Sequence, residues 1–115
     1  MEIDNVIAAL AALAQPVRLQ VYRFLVQAGG AGLPAGQIAQ RFDLPSPTLS
    51  FHLNQLRAAR LVTRHREGRS IIYSANYTTM TALLAYLTDN CCSRAPCGVE
   101  AAACSESALA DESVE

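Results

Sequence analysis

The chain has 115 residues and a mass of 12.3 kDa, the length of one small domain, and with 51% apolar but only 6% aromatic residues and no Trp its core must be aliphatic. No apolar run approaches the roughly 20 residues that cross a bilayer, and Met1-Glu2-Ile3-Asp4 lacks a basic region leading into a cleavage site, so a soluble, cytoplasmic chain with no membrane partner is expected. The formal net charge of −1 hides an asymmetry: residues 1–90 carry eight arginines against five acids (+3), and residues 91–115 carry Arg94 against five acids (−4).

Apolar residues at Ile3, Val6, Ile7, Leu10 and Leu13 trace the stripe of a first helix. Gln15-Pro16 ends it, and Pro16 suits the first position of a second helix to about Gln27, with Val17, Val21, Phe24 and Leu25 inward. Gly29, Gly30 and Gly32 stop that helix. A short third helix follows from about Ala35 to Phe42, burying Ile38 and Phe42, and Asp43-Leu44-Pro45 makes the turn. Ser46 is a good N-cap and Pro47 a good first residue for a fourth helix to about Arg60. Its inward stripe is Leu49, Leu53 and Leu56. The opposite face carries Pro47, Thr48, Phe51, Asn54 and Gln55, with Ser50 at the flank; a solvent-facing Phe51 implies that this face meets something.

The period then changes. Leu61 to Arg66 and Ser70 to Ser74 are short extended runs around Glu67-Gly68, a hairpin signal. Helical spacing returns from Tyr77 to about Asn90, with Met80, Leu83, Leu84 and Leu87. The fold class expected is mainly α with a small β-hairpin, in the order ααααββα. Residues 1–90 would form the folded domain. Residues 91–115, with four cysteines and an Ala/Ser/Glu tail, lack a burial pattern.

This order is that of a winged helix-turn-helix. A helix about 10–12 Å across fits a DNA major groove of about 12 Å, where exposed polar side chains meet base edges. Between residues 46 and 73 five arginines stand against Glu67 alone, and arginine suits phosphate or bidentate guanine contacts. A helical domain with a merely solvated basic face is the alternative. Helix order, start signal, polar face and basic hairpin together favour double-stranded DNA as the partner.

Three stretches carry a family resemblance. Ala12-Leu13-Ala14-Gln15-Pro16-Val17-Arg18-Leu19 resembles the opening signature of the ArsR/SmtB family of bacterial metal-responsive repressors. Pro47-Thr48-Leu49-Ser50-Phe51-His52-Leu53 with Leu56 resembles its recognition helix, and Arg66-Glu67-Gly68-Arg69 with Tyr73 its wing. The resemblance covers residues 5–90. It implies a homodimer on an inverted-repeat operator, released when an effector binds. It makes Ser46, Thr48, Ser50 and Gln55 candidate base or phosphate contacts and Arg66 and Arg69 wing contacts. His52 lies about 60° from the buried stripe, so it either touches DNA or packs. The first and last helices are more apolar than a small core can bury, and the family places both at the subunit interface.

All four cysteines, Cys91, Cys92, Cys97 and Cys104, fall between 91 and 104. Pro, Gly, Ser and charge surround them, so buried core thiols are a poor account, and a cytosolic chain does not use such a group as a disulfide framework. The spacing is not the paired C-x-x-C of a zinc ribbon. No imidazole or carboxylate constellation accompanies it. The pattern resembles arsenite-responsive family members whose thiolates follow the last helix. That implies trivalent arsenic or antimony as effector, held by Cys91, Cys92 and Cys97, with Cys104 as a possible substitute. A thiol redox or persulfide switch is the alternative, with cadmium, lead or copper(I) behind. Regular helical geometry separates Cys91 and Cys92 by about 100°, so binding is expected to unwind the end of the last helix. An enzyme is not expected: there is no Gly-rich phosphate loop, and the two histidines are distant in sequence from each other and from every cysteine.

Overall fold

The computed structural model describes residues 1–93. Five helices and three strands follow one another as α1 (Ile3–Leu13), α2 (Pro16–Ala28), β1 (Leu33–Pro34), α3 (Ala35–Phe42), α4 (Ser46–Ala58), β2 (Val62–Glu67), β3 (Ser70–Ala75) and α5 (Tyr77–Leu87). The architecture is a winged helix-turn-helix, mainly helical as expected. Its sheet has one strand more than the hairpin read from the sequence.

Local chemistry accounts for most boundaries. Gln15 is extended and its Oε1 accepts the Arg18 N–H at 2.8 Å, while Pro16 opens α2. Between α3 and α4, Asp43 takes φ 55. This left-handed conformation is tolerated by Asp and lets Leu44 N–H return to the Ala39 carbonyl at 3.0 Å. The start of α4 differs from the Ser46 cap expected. Pro45, at φ −62 and ψ 147, is the N-cap and no side chain caps the helix. The reason is that the Pro45 carbonyl already accepts the Leu49 N–H at 3.0 Å, which draws Ser46 into the first turn.

β2 and β3 form an antiparallel hairpin with Val62 opposite Ala75 and Glu67 opposite Ser70, closed by Gly68 at φ 64 and Arg69. β1 adds to the far edge of β3, Leu33 opposite Tyr73, giving the order β1-β3-β2. Gly32 permits this approach: at φ 77, a Cβ there would lie 2.5 Å from both the Ser74 Oγ and the Tyr73 carbonyl oxygen.

The core is aliphatic. Val21, Leu25, Ile38, Leu53, Leu56 and Leu61 are its largest fully buried members, and α1 closes it through Val6, Ala9 and Ala12. Only Val6 of the expected α1 stripe is buried; Leu13 is half-buried, and Ile3, Ile7 and Leu10 stay exposed. Small alanines let α1 come close to α2 and α4, which turns the bulky side chains outward. On α5 Leu83 is buried, while Leu84, Tyr86 and Leu87 are exposed. α5 also ends at Leu87 rather than near Asn90. Thr88 is its C-cap, at φ −104 and ψ 7, with Oγ1–H donated to the Leu84 carbonyl at 2.8 Å, and Asn90 and Cys92 follow with φ 58 and 63. No helix among the described residues is long and apolar enough to cross a membrane.

Candidate nucleic-acid interface

Leu49, His52, Leu53 and Leu56 anchor α4 in the core, so its other side must face outward. Pro47, Thr48, Ser50, Phe51, Asn54, Gln55 and Arg57 are all exposed, as is Ser46 at the start. The candidate contacts Ser46, Thr48, Ser50 and Gln55 therefore share one accessible surface. α3 and the Asp43 turn fix the angle at which that surface is presented.

His52 departs from this set. It is only 9% exposed, with its Nδ1 3.5 Å from the Arg18 Nη1 and its ring edge-on to Phe51 at 5.6 Å. Burial, and secondarily the Arg18 cation, push its pKa below the usual imidazole value. Of the two roles open to it, DNA contact or packing, its position is that of packing, because helical phase carries the ring to the α2 side of α4. Arg18 also donates Nε–H to the Ala12 carbonyl at 2.7 Å, so one guanidinium spans the end of α1 and the middle of α4.

From Thr63 to Ser70 the wing is exposed throughout. Glu67, the sole acid between residues 46 and 73, pairs with His65 at 3.0 Å. Arg66 and Arg69 are thus without an ion pair among the described residues. Arg64 is steadied across the hairpin by donating Nη1–H to the Tyr73 hydroxyl at 3.4 Å. Arg57, Arg60 and Arg64 line one concavity at the base of the wing together with Asn76. These three arginines were not singled out from the sequence; their clustering in the 46–73 charge count was the available signal. A cationic band beside an exposed polar helix face can neutralise phosphates on either side of a groove.

The cysteine segment lies beyond α5. Cys91 is a free, exposed thiol, its Sγ 3.4 Å from the Cys92 Sγ, and its N–H donates to the Thr88 carbonyl at 2.9 Å. Cys92, next to it, is exposed as well. Cys97 and Cys104 lie outside the described residues. Among the described residues no three His, Cys, Asp or Glu side chains group to hold a metal ion. Because α5 has already ended at Leu87, ligand binding at Cys91 and Cys92 does not have to unwind it, contrary to the expectation from helical geometry.

Residues 13–65 match a family model described as a helix-turn-helix domain. The transcriptional repressor SdpR of Bacillus subtilis is 36% identical over 69 residues, covering 60% of this chain and 73% of that protein. An ArsR-like transcriptional regulator from Rhodococcus sp. RHA1 superposes with a TM-score of 0.64 at 26% identity, over 74% of this chain and 77% of the other. A homodimeric winged helix-turn-helix DNA-binding domain from Mycobacterium bovis superposes with a TM-score of 0.61 at 27% identity, over 76% and 82%.

Proposed function

Because the chain belongs to the ArsR/SmtB family of winged helix-turn-helix regulators, we propose that it is a transcriptional repressor that grips an inverted-repeat operator as a homodimer and leaves it when trivalent arsenic or antimony binds the thiols after α5. The observation that carries the DNA reading is the exposed polar face of α4 beside a wing whose only acid is paired with histidine. In this reading α4 enters the major groove, with Thr48, Ser50 and Gln55 toward base edges and Ser46 toward a phosphate. Arg66 and Arg69 reach the flanking backbone, and Arg57, Arg60 and Arg64 add charge at the base of the wing.

Dimerisation supplies the symmetry. Ile3, Ile7 and Leu10 on α1 and Leu84 and Leu87 on α5 leave an apolar face uncovered, and these two helices pack on each other. Burying that face against its two-fold copy places two α4 helices about 34 Å apart, one turn of DNA.

The effector reading rests on donor chemistry. Trivalent arsenic is soft and takes three thiolates, its lone pair filling the fourth position. Cys91 and Cys92 already hold their sulfurs 3.4 Å apart, near enough for one soft centre to bridge them. Cys97 or Cys104 supplies the third thiolate. Closing residues 91–97 around one centre strains the turn at Thr88 and hence α5. α5 bears on α1, and α1 on α4 through Ala12 and Arg18. A coupling of about 1–3 kcal/mol lowers operator affinity some 5–150-fold.

The test uses the full chain and a duplex it selects from a random pool. Reduced protein is titrated onto this duplex with and without arsenite, beside Cys91→Ser, Cys92→Ser and Cys97→Ser. Release in the wild type and its loss in the variants is expected; an unchanged arsenite response in all three refutes the effector assignment. The 3.4 Å approach of the Cys91 and Cys92 sulfurs favours one second reading, a thiol redox switch. A reductant that alone changes affinity, with arsenite adding nothing, selects it.

A further inference from the structure

Phe51 is 56% exposed at the centre of the α4 face, one turn after Pro47 and one before Gln55. Its neighbours on that surface, Ser50, Asn54 and Gln55, all make hydrogen bonds by nature. The ring meets His52 edge-on at 5.6 Å and 65°, a contact that steadies it without covering it. A phenyl group set among hydrogen-bonding side chains has nothing to donate or accept. Laid against an amino group, N7 or O6 of a base edge, it strips water from a polar atom and returns no bond. The major groove holds one apolar feature on its base edges, the C5-methyl of thymine.

On the DNA reading of this same face, we propose that Phe51 is a specificity-determining residue that packs on the C5-methyl group of a thymine in each operator half-site. The polar side chains around it read donors and acceptors, and Phe51 reads the methyl that they cannot. Its place in the middle of a polar face, between Thr48 and Asn54, in a stretch where five arginines stand against one acid, favours a nucleic-acid partner over an apolar protein surface. The division of labour makes a distinct demand on sequence: at one position per half-site thymine is preferred over uracil, although their hydrogen-bonding edges are identical.

The experiment replaces each thymine of the selected duplex by deoxyuridine, one symmetric pair at a time, and measures dissociation constants for wild type, Phe51→Ala and Phe51→Leu. Loss of one buried methyl corresponds to about fourfold per half-site and about fifteenfold for the pair. The wild type is expected to lose affinity by that factor at one thymine position. Phe51→Ala binds the thymine and deoxyuridine duplexes equally there, and Phe51→Leu keeps part of the difference. A wild type indifferent to deoxyuridine everywhere, or a Phe51→Ala variant that keeps the full difference, overturns the proposal. A chain that selects no duplex overturns the DNA reading, and this inference with it.

Discussion

Ile7 gives the sharpest test of how the chain assembles. It stands on the outer side of α1, 57% exposed, next to Ile3 and Leu10. Full burial of an isoleucine side chain is worth about 2–3 kcal/mol, and just over half of Ile7 remains to be buried. Truncation to alanine leaves only the β-carbon, so Ile7→Ala removes about 1 kcal/mol per subunit. A two-fold interface counts it twice. About 2 kcal/mol is a roughly 30-fold rise in the dimer dissociation constant. Sedimentation equilibrium across the micromolar range measures it. Val6→Ala is the contrast, because Val6 is 3% exposed within a single chain and its truncation opens a cavity in the core. Val6→Ala therefore lowers the unfolding midpoint of the monomer, whereas Ile7→Ala, at dilutions where both proteins are monomeric, leaves it where it was. A dimer as tight as wild type in Ile7→Ala removes this side of α1 from the interface. A monomer destabilised as much as by Val6→Ala shows that Ile7 belongs to the core.

Three further outcomes concern Tyr22, His52 and Gly32. The Tyr22 hydroxyl is buried without a hydrogen-bond partner among the described residues, and burial, with Tyr77 adding to it, raises its pKa. Tyr22→Phe is expected to stabilise the fold by about 1 kcal/mol, raising the melting temperature by about 4 °C; a lower value shows that the hydroxyl is bonded after all. His52 has a folded-state pKa depressed by burial first and by Arg18 second, so its neutral ring favours the folded state. That contribution is complete above the ordinary value of about 6.5 and is lost as the pH falls through the depressed folded-state value. Urea unfolding between pH 5 and 8 should show the loss in wild type and a flatter profile in His52→Gln; equal profiles for the two proteins contradict the assignment. Gly32→Ala, with φ 77 and two atoms at 2.5 Å from the new Cβ, should cost more than about 2 kcal/mol and release β1 from β3. Hydrogen exchange at the β1–β3 pairs, unaltered in the variant, is the opposing result.

Much of the site was legible along the chain because its signals are local. Pro16 and Pro47 announce helix starts through their own φ. Leu49, Leu53 and Leu56 fix the inward side of α4 by spacing alone, and this side leaves Thr48, Phe51 and Gln55 outside whatever else the fold does. The arginine wing declares itself by the change from helical spacing to short extended runs. His52 was less legible, since helical phase places it between the two faces. Which side it joins depends on Arg18, 34 residues earlier. Arg57, Arg60 and Arg64 were visible as charge, but only the crossing of α4 and β2 gathers them in one concavity.

The sequence by itself determined the order of the elements and the composition of the reading face, because helix periodicity, proline geometry and charge act within a few residues. Tertiary structure alone decided that β1 exists: two residues, one of them proline, have no strand signal until β3 lies beside them and Gly32 leaves room. It also decided which side of α1 is core. A helix with aliphatic residues on one side and alanines on the other can dock through either, and close approach to α2 and α4 selects the small ones. The large side chains displaced by that choice form the exposed apolar face on which the proposed dimer rests.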